Sequence, residues 1–134
     1  MVIRYNGNVG IGTASPNFRL DVSGNMNLDT FNFYRIGSME ALYIDTARNV
    51  GVGMFNEMNT ITTGKRNIAV GYLSGSSLTI GFQNTFLGTY AGEDVASASN
   101  NAFFGECAGR NTTDNSNTMV GAFSGFTNTG GYNN

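Results

Sequence analysis

The sequence predicts an all-β, elongated repeat protein: a parallel β-solenoid, or β-roll, of 16- or 17-residue coils. Three observations carry that reading. NIAVGYLSG, NTFLGTYAG, NAFFGECAG and NTMVGAFSG recur at almost constant spacing, beginning at Asn67, Asn84, Asn101 and Asn117. The apolar runs inside them are three or four residues long and rich in β-formers. Each unit also holds two glycines, and each would cost a helix about 1 kcal/mol.

The chain opens on a different pattern. GNVGIG, from Gly7 to Gly12, returns as RNVGVG from Arg48 to Gly53. Both are either outlying relatives of the repeat or starts of two small β segments. Phe18, Leu20 and Val22 alternate with Arg19 and Asp21, which predicts a short strand with one buried face. Ser23-Gly24-Asn25 then turns the chain. FNFYRIG and EALYIDTARNV, between Phe31 and Val50, predict two further strands separated by Gly37-Ser38. The organisation expected is a connector over 1–30, a short-stranded linker over 31–60, and a stacked shaft over 61–134.

The repeat proper is N-x-h-h-G-x-x-(S/A)-G, where h is apolar, followed by a polar spacer of seven or eight residues. Its fourth position after Asn is Gly71, Gly88, Gly105 and Gly121. Its eighth is Gly75, Gly92, Gly109 and Gly125. Its third is Val70, Leu87, Phe104 and Val120, expected as the apolar core column. Each coil should place glycine at its corners, with neighbouring coils about 4.8 Å apart. The recurrent Asn then either forms a ladder, each amide bonded to the copies above and below, or simply starts a turn. A further Asn falls due at Asn134, so the expectation is a shaft truncated at the start of a fifth repeat. Coils this small enclose little, and packing the apolar columns of several chains around an axis would remedy that.

Composition excludes several functions. Net charge is −2 and only 12% of residues are charged, so nothing resembles a basic nucleic-acid footprint. No run approaches the roughly 20 apolar residues of a membrane-spanning helix. There is no His, which removes the commonest general base and metal ligand. Gly and Asn each number 19, serving turns, while 40% of residues are hydrophobic and periodically placed, which argues against wholesale disorder.

Individual residues point the same way. Glu93 and Asp94 are adjacent, so in a strand they would face opposite ways and make no glycosidase pair; a solvated loop is expected. Gly10-Ile11-Gly12 lacks the third glycine and the helix of a dinucleotide site. Asp29, Asp45, Asp94 and Asp114 are too scattered for a calcium-binding β-helix repeat. Cys107 takes the slot of Leu73, Tyr90 and Phe123 and is expected as a packed hydrophobe. Lys65-Arg66 would either dock an acidic partner or form a solvated edge. No catalytic residue, cofactor site or metal site is assigned, and no enzyme is expected.

GNVGIGTASPNFRLDVSGN, Gly7 to Asn25, resembles a segment that recurs in phage tail fibres and in fibre-like proteins of large DNA viruses. The pattern G-x-V-G-I-G-T-x-x-P-x-x-x-L-x-V-x-G is met through Val9, Gly10, Ile11, Gly12, Thr13, Pro16, Leu20, Val22 and Gly24. The repeats from Asn67 onward are similar to those in heads of trimeric autotransporter adhesins, which have shorter units. These resemblances imply a parallel, intertwined homotrimer on a virion surface, as tail or capsid fibre, or on a bacterial cell surface. The function implied is structural: extending and displaying a host-attachment tip, with other virion or fibre proteins as partners. The alternative is an adhesin module whose spacers 76–83, 93–100, 110–116 and 126–133 project sideways to bind a host glycan or receptor.

Overall fold

A computed structural model describes residues 1–25, 34–36, 39–53 and 63–127. Its elements are β-strands, with no helix among the described residues. β1 (Val2–Ile3), β2 (Val9–Ile11) and β3 (Leu20–Val22) make a small sheet, with β1 antiparallel and β3 parallel to β2. β4 (Tyr34–Ile36), β5 (Met39–Ile44), β6 (Val50–Val52), β7 (Ile68–Val70), β8 (Thr85–Leu87), β9 (Ala102–Phe104) and β10 (Thr118–Val120) make a second sheet in chain order. From β6 to β10 every pairing is parallel, one strand per coil. The protein is therefore a β-solenoid of stacked coils, as the repeat predicts.

The two glycine-rich openings part company. RNVGVG is a true coil: Val50, Gly51 and Val52 pair in register with Ile68, Ala69 and Val70. GNVGIG instead builds the separate small sheet, pairing with the expected strand at Leu20–Val22. The two strands expected between 31 and 50 form an antiparallel pair, β4 with β5. β5 in turn pairs antiparallel with β6, so the sheet runs on across the expected boundary at residue 60. Asn134, the last spacer beyond Thr127 and parts of the linker lie outside the described residues.

The core column requires a correction. Val70, Leu87, Phe104 and Val120 do not fill the chain's interior: Leu87 is 48% and Val120 69% exposed. The interior column is the second position, Ala69, Phe86, Phe103 and Met119. Side chains alternate across a strand, so the middle residue of three faces inward and its neighbours face out. Phe86 and Phe103 stack with ring centroids 5.3 Å apart, a favourable offset contact within the core.

The spacers 76–83, 93–100 and 110–116 are not projecting loops either. Leu78, Val95 and Thr112 turn inward and are buried. Consecutive spacers bond to each other through Ser77 N–H to Glu93 O (3.0 Å), Asp94 N–H to Arg110 O (2.9 Å) and Asn111 N–H to Phe126 O (3.0 Å). They form a second stacked wall that closes each coil, with one side chain per spacer turned into the core.

Two of the glycines show why the repeat demands them. At Gly71, φ is +127° and a Cβ would lie 2.7 Å from the carbonyl oxygen of Gly88, so the coils could not stack at this distance. At Gly92, φ is +59° and a Cβ would sit 2.8 Å from the Phe86 ring. The two glycines per unit thus do different work: one admits the next coil, the other admits the core side chain.

Candidate functional site

The buried Asn side chains form one continuous ladder through the coils. Asn67 donates its side-chain amide to Asn49 Oδ1 (3.0 Å) and to Gly81 O (2.8 Å). Its own Oδ1 accepts the backbone N–H of Asn84 (2.9 Å) and the Asn84 side-chain amide (3.0 Å). Asn84 repeats the pattern, donating to Asn67 and to Ala98 O (2.8 Å) and accepting from Asn101. Asn101 Oδ1 accepts both donors of Asn117, at 2.9 and 3.1 Å. A primary amide offers two donor hydrogens and two acceptor lone pairs, and at Asn67 and Asn84 all four are used. That is why so polar a column tolerates complete burial.

The ladder begins one rung earlier than the recognised repeats, at Asn49, and it begins on a carboxylate. Asp45 Oδ1 accepts the Asn49 backbone N–H and Oδ2 accepts its side-chain amide, while Tyr43 donates its hydroxyl to Oδ2 at 3.1 Å. Every rung passes its backbone N–H and one amide hydrogen back to the rung before it, so the first position needs acceptors only. An ionised Asp is acceptor-only. In the sequence Asp45 reads as one of four scattered acids. The available signal was its place four residues before an Asn that also follows the repeat.

The outward side of the same sheet is apolar. Tyr34, Leu42, Val52, Val70, Leu87, Phe104 and Val120 stand in register across all seven strands, without a polar residue among them. At about 4.8 Å per strand this row is about 29 Å long. Beside it runs a second row: Ile44, Val50, Ile68, Thr85, Ala102 and Thr118. Tyr34, Leu42, Ile44, Val52, Ile68, Leu87 and Val120 are exposed in the single chain. Large contiguous apolar patches are uncommon on soluble monomers. The structure thus gathers Val70, Leu87, Phe104 and Val120 into one column, on the outer face rather than in the interior.

The other singled-out residues fall into structural roles. Glu93 and Asp94 do not face opposite ways; both approach Arg110, at 2.6 and 3.6 Å. The segment is a turn, not a strand, so the alternation argument does not apply. The expected solvated Glu93 is corrected with it, its side chain being only 15% exposed. The Arg110 guanidinium also lies over the rings of Tyr90 (5.1 Å) and Phe126 (5.8 Å). Cys107 is buried, in the slot of Leu73, Tyr90 and Phe123. What sequence reading missed there is the backbone: all four take left-handed φ between 52° and 58°.

Among the described residues, no group of three His, Cys, Asp or Glu is placed to hold a metal ion, and no helix is long and apolar enough to cross a membrane. No protein-family model, no curated protein and no solved structure matches this chain.

Proposed function

We propose that the chain is a structural segment of a trimeric fibre of a phage-like virion, part of a tail or capsid fibre whose work is length, stiffness and display of an attachment tip. The observation that carries this reading is the seven-residue apolar row on the outer face of the sheet, which no other element covers among the described residues. Three copies packing these rows around an axis bury them. The number three comes from the resemblance to viral fibres and trimeric adhesin heads, and the face that meets the axis comes from the strand register.

The small sheet near the start supports association as well. Val2, Ile3, Tyr5, Ile11, Phe18 and Leu20 are all exposed there. Within residues 1–25 only Gly10 and Pro16 are buried. A three-stranded sheet needs a hydrophobic face against something to be stable, and further copies of the same segment supply it.

A role in length and stiffness follows from the stacking. Each coil hands its backbone donors and acceptors and its ladder Asn to the next, so copying the unit extends the rod at constant cross-section. Small-angle X-ray scattering of the chain tests the proposal. The expected particle is elongated, with the volume of three chains. A compact particle with the volume of one chain contradicts it.

A further inference from the structure

Thr46, Ala47, Arg48, Lys65 and Arg66 line a cleft of about 360 Å³ on the first two coils. Three of the chain's seven Lys and Arg residues meet there, in a protein of net charge −2. Among the described residues no carboxylate pairs with any of the three; the ion pairs described belong to Arg110. The neighbouring Asp45 carboxylate is occupied by Asn49 and Tyr43.

The backbone does not ask for these charges. Arg48 and Arg66 occupy the left-handed position just before a ladder Asn, with φ of 67° and 59°. In the later coils the same position holds Gln83, Asn100 and Ser116, with φ of 56°, 61° and 61°. Neutral residues therefore satisfy this geometry, and Asn is among the non-glycine types that tolerate it best. Lys65 likewise corresponds to Phe82, Ser99 and Asn115. At these two repeat positions positive charge is confined to the first two coils, and it is placed on pinned backbone. Arg48 N–H donates to Asp45 O and Arg66 N–H to Ala47 O, both at 3.1 Å, and Lys65 bridges to Phe82. Like charges gathered in one cleft repel one another, and an anion bound between them offsets that repulsion.

We propose that this cleft binds a tetrahedral oxyanion, a phosphate or sulfate ester carried on a sugar-sized group. Two guanidinium forks, an ammonium and the Thr46 hydroxyl offer more donors, from more directions, than the two oxygens of a planar carboxylate can use. The cleft is larger than a bare anion and falls in the range of small-ligand sites, about 300–1,000 Å³. The site does not rest on the fibre reading, since none of its lining residues belongs to either apolar row.

Titration calorimetry of the full chain at constant ionic strength tests this, with glucose 6-phosphate, glucose 6-sulfate, inorganic phosphate, inorganic sulfate and glucose as probes. The expected result is saturable binding of an ester at one site per chain, tighter than its inorganic ion, with no binding of glucose. The tighter ester identifies the group. Inorganic ions binding as tightly as the esters would overturn the sugar-sized part of the assignment. In the double variant Arg48→Gln, Arg66→Gln, ester binding should weaken at least tenfold with an unchanged melting curve, because Gln already occupies the equivalent position at Gln83. Lys65→Gln, which removes one cation of the three and no guanidinium fork, should weaken it less. Absence of saturable binding by either ester, or wild-type binding by the double variant, overturns the proposal.

Discussion

Asp45 accepts both the backbone N–H and the side-chain amide of Asn49, each at 2.8 Å. It is the carboxylate foot of an amide ladder that continues through Asn67, Asn84, Asn101 and Asn117. The arrangement gives the stack a direction and a defined first coil. A neutral Asn at the foot would turn a donor toward the donors of Asn49. Asp45→Asn is therefore expected to destabilise the fold by about 1.5–3 kcal/mol, the range for a hydrogen bond to a charged group. Chemical denaturation of the variant checks this, and an unchanged midpoint would show that the foot carries no stability.

Within the ladder the cost is larger. Asn84→Ala removes a side chain that makes four hydrogen bonds and leaves the Asn67 carbonyl, the Asn101 donors and Ala98 O short of partners. Each buried orphan costs about 1–3 kcal/mol before water enters the gap, so a loss of at least 3 kcal/mol is expected in denaturant titration. A loss below 1 kcal/mol would mean that the coils are held without the ladder.

The inner and outer columns should fail in different ways. Phe86→Ala empties the core and is expected to cost about 3–5 kcal/mol of folding stability. Leu87→Asp and Phe104→Asp place a charge on the outer row, where a single chain leaves Leu87 half exposed. They should abolish association and leave the β-rich circular dichroism of the coil in place. Soluble trimers of Leu87→Asp with a normal melting temperature would remove the outer row from the interface.

Left-handed backbone at ordinary residues leaves room for improvement. Gln83 has φ of 56° and an exposed side chain. The left-handed conformation costs a non-glycine residue about 1–2 kcal/mol, and glycine returns part of that as chain entropy. Gln83→Gly should raise stability by up to about 1 kcal/mol. Gly92→Ala, with a Cβ directed at the Phe86 ring, should lower it by more than 1 kcal/mol.

The repeat was legible because its constraints act on residue type. Gly71 and Gly92 admit no side chain, and a buried rung such as Asn84 must both give and take hydrogen bonds, so the same letters recur and the period can be read. The direction of the strands' faces was not legible. In TFL and AFF the middle and last residues are both large and apolar, and a three-residue strand gives no second alternation to choose between them. The outer residues keep their hydrophobic character although the chain itself does not bury them, which removes the usual contrast. Asp45 escaped notice because capping needs a different residue from the rungs it caps. Tyr90 and Cys107 escaped because nothing in their side chains reports a left-handed φ that the neighbouring coils impose through backbone bonds to Tyr72 O and Thr89 O. The spacers read as loops because they are polar, yet Leu78, Val95 and Thr112 turn inward once per coil.

The most direct test of the central claim, that copies of this chain associate through the apolar row from Tyr34 to Val120, is the mass of the wild-type chain in solution by light scattering. The account predicts about three times the 14.3 kDa of one chain. A folded, β-rich species at the mass of a single chain would contradict it, since the row would then stand in water without a partner.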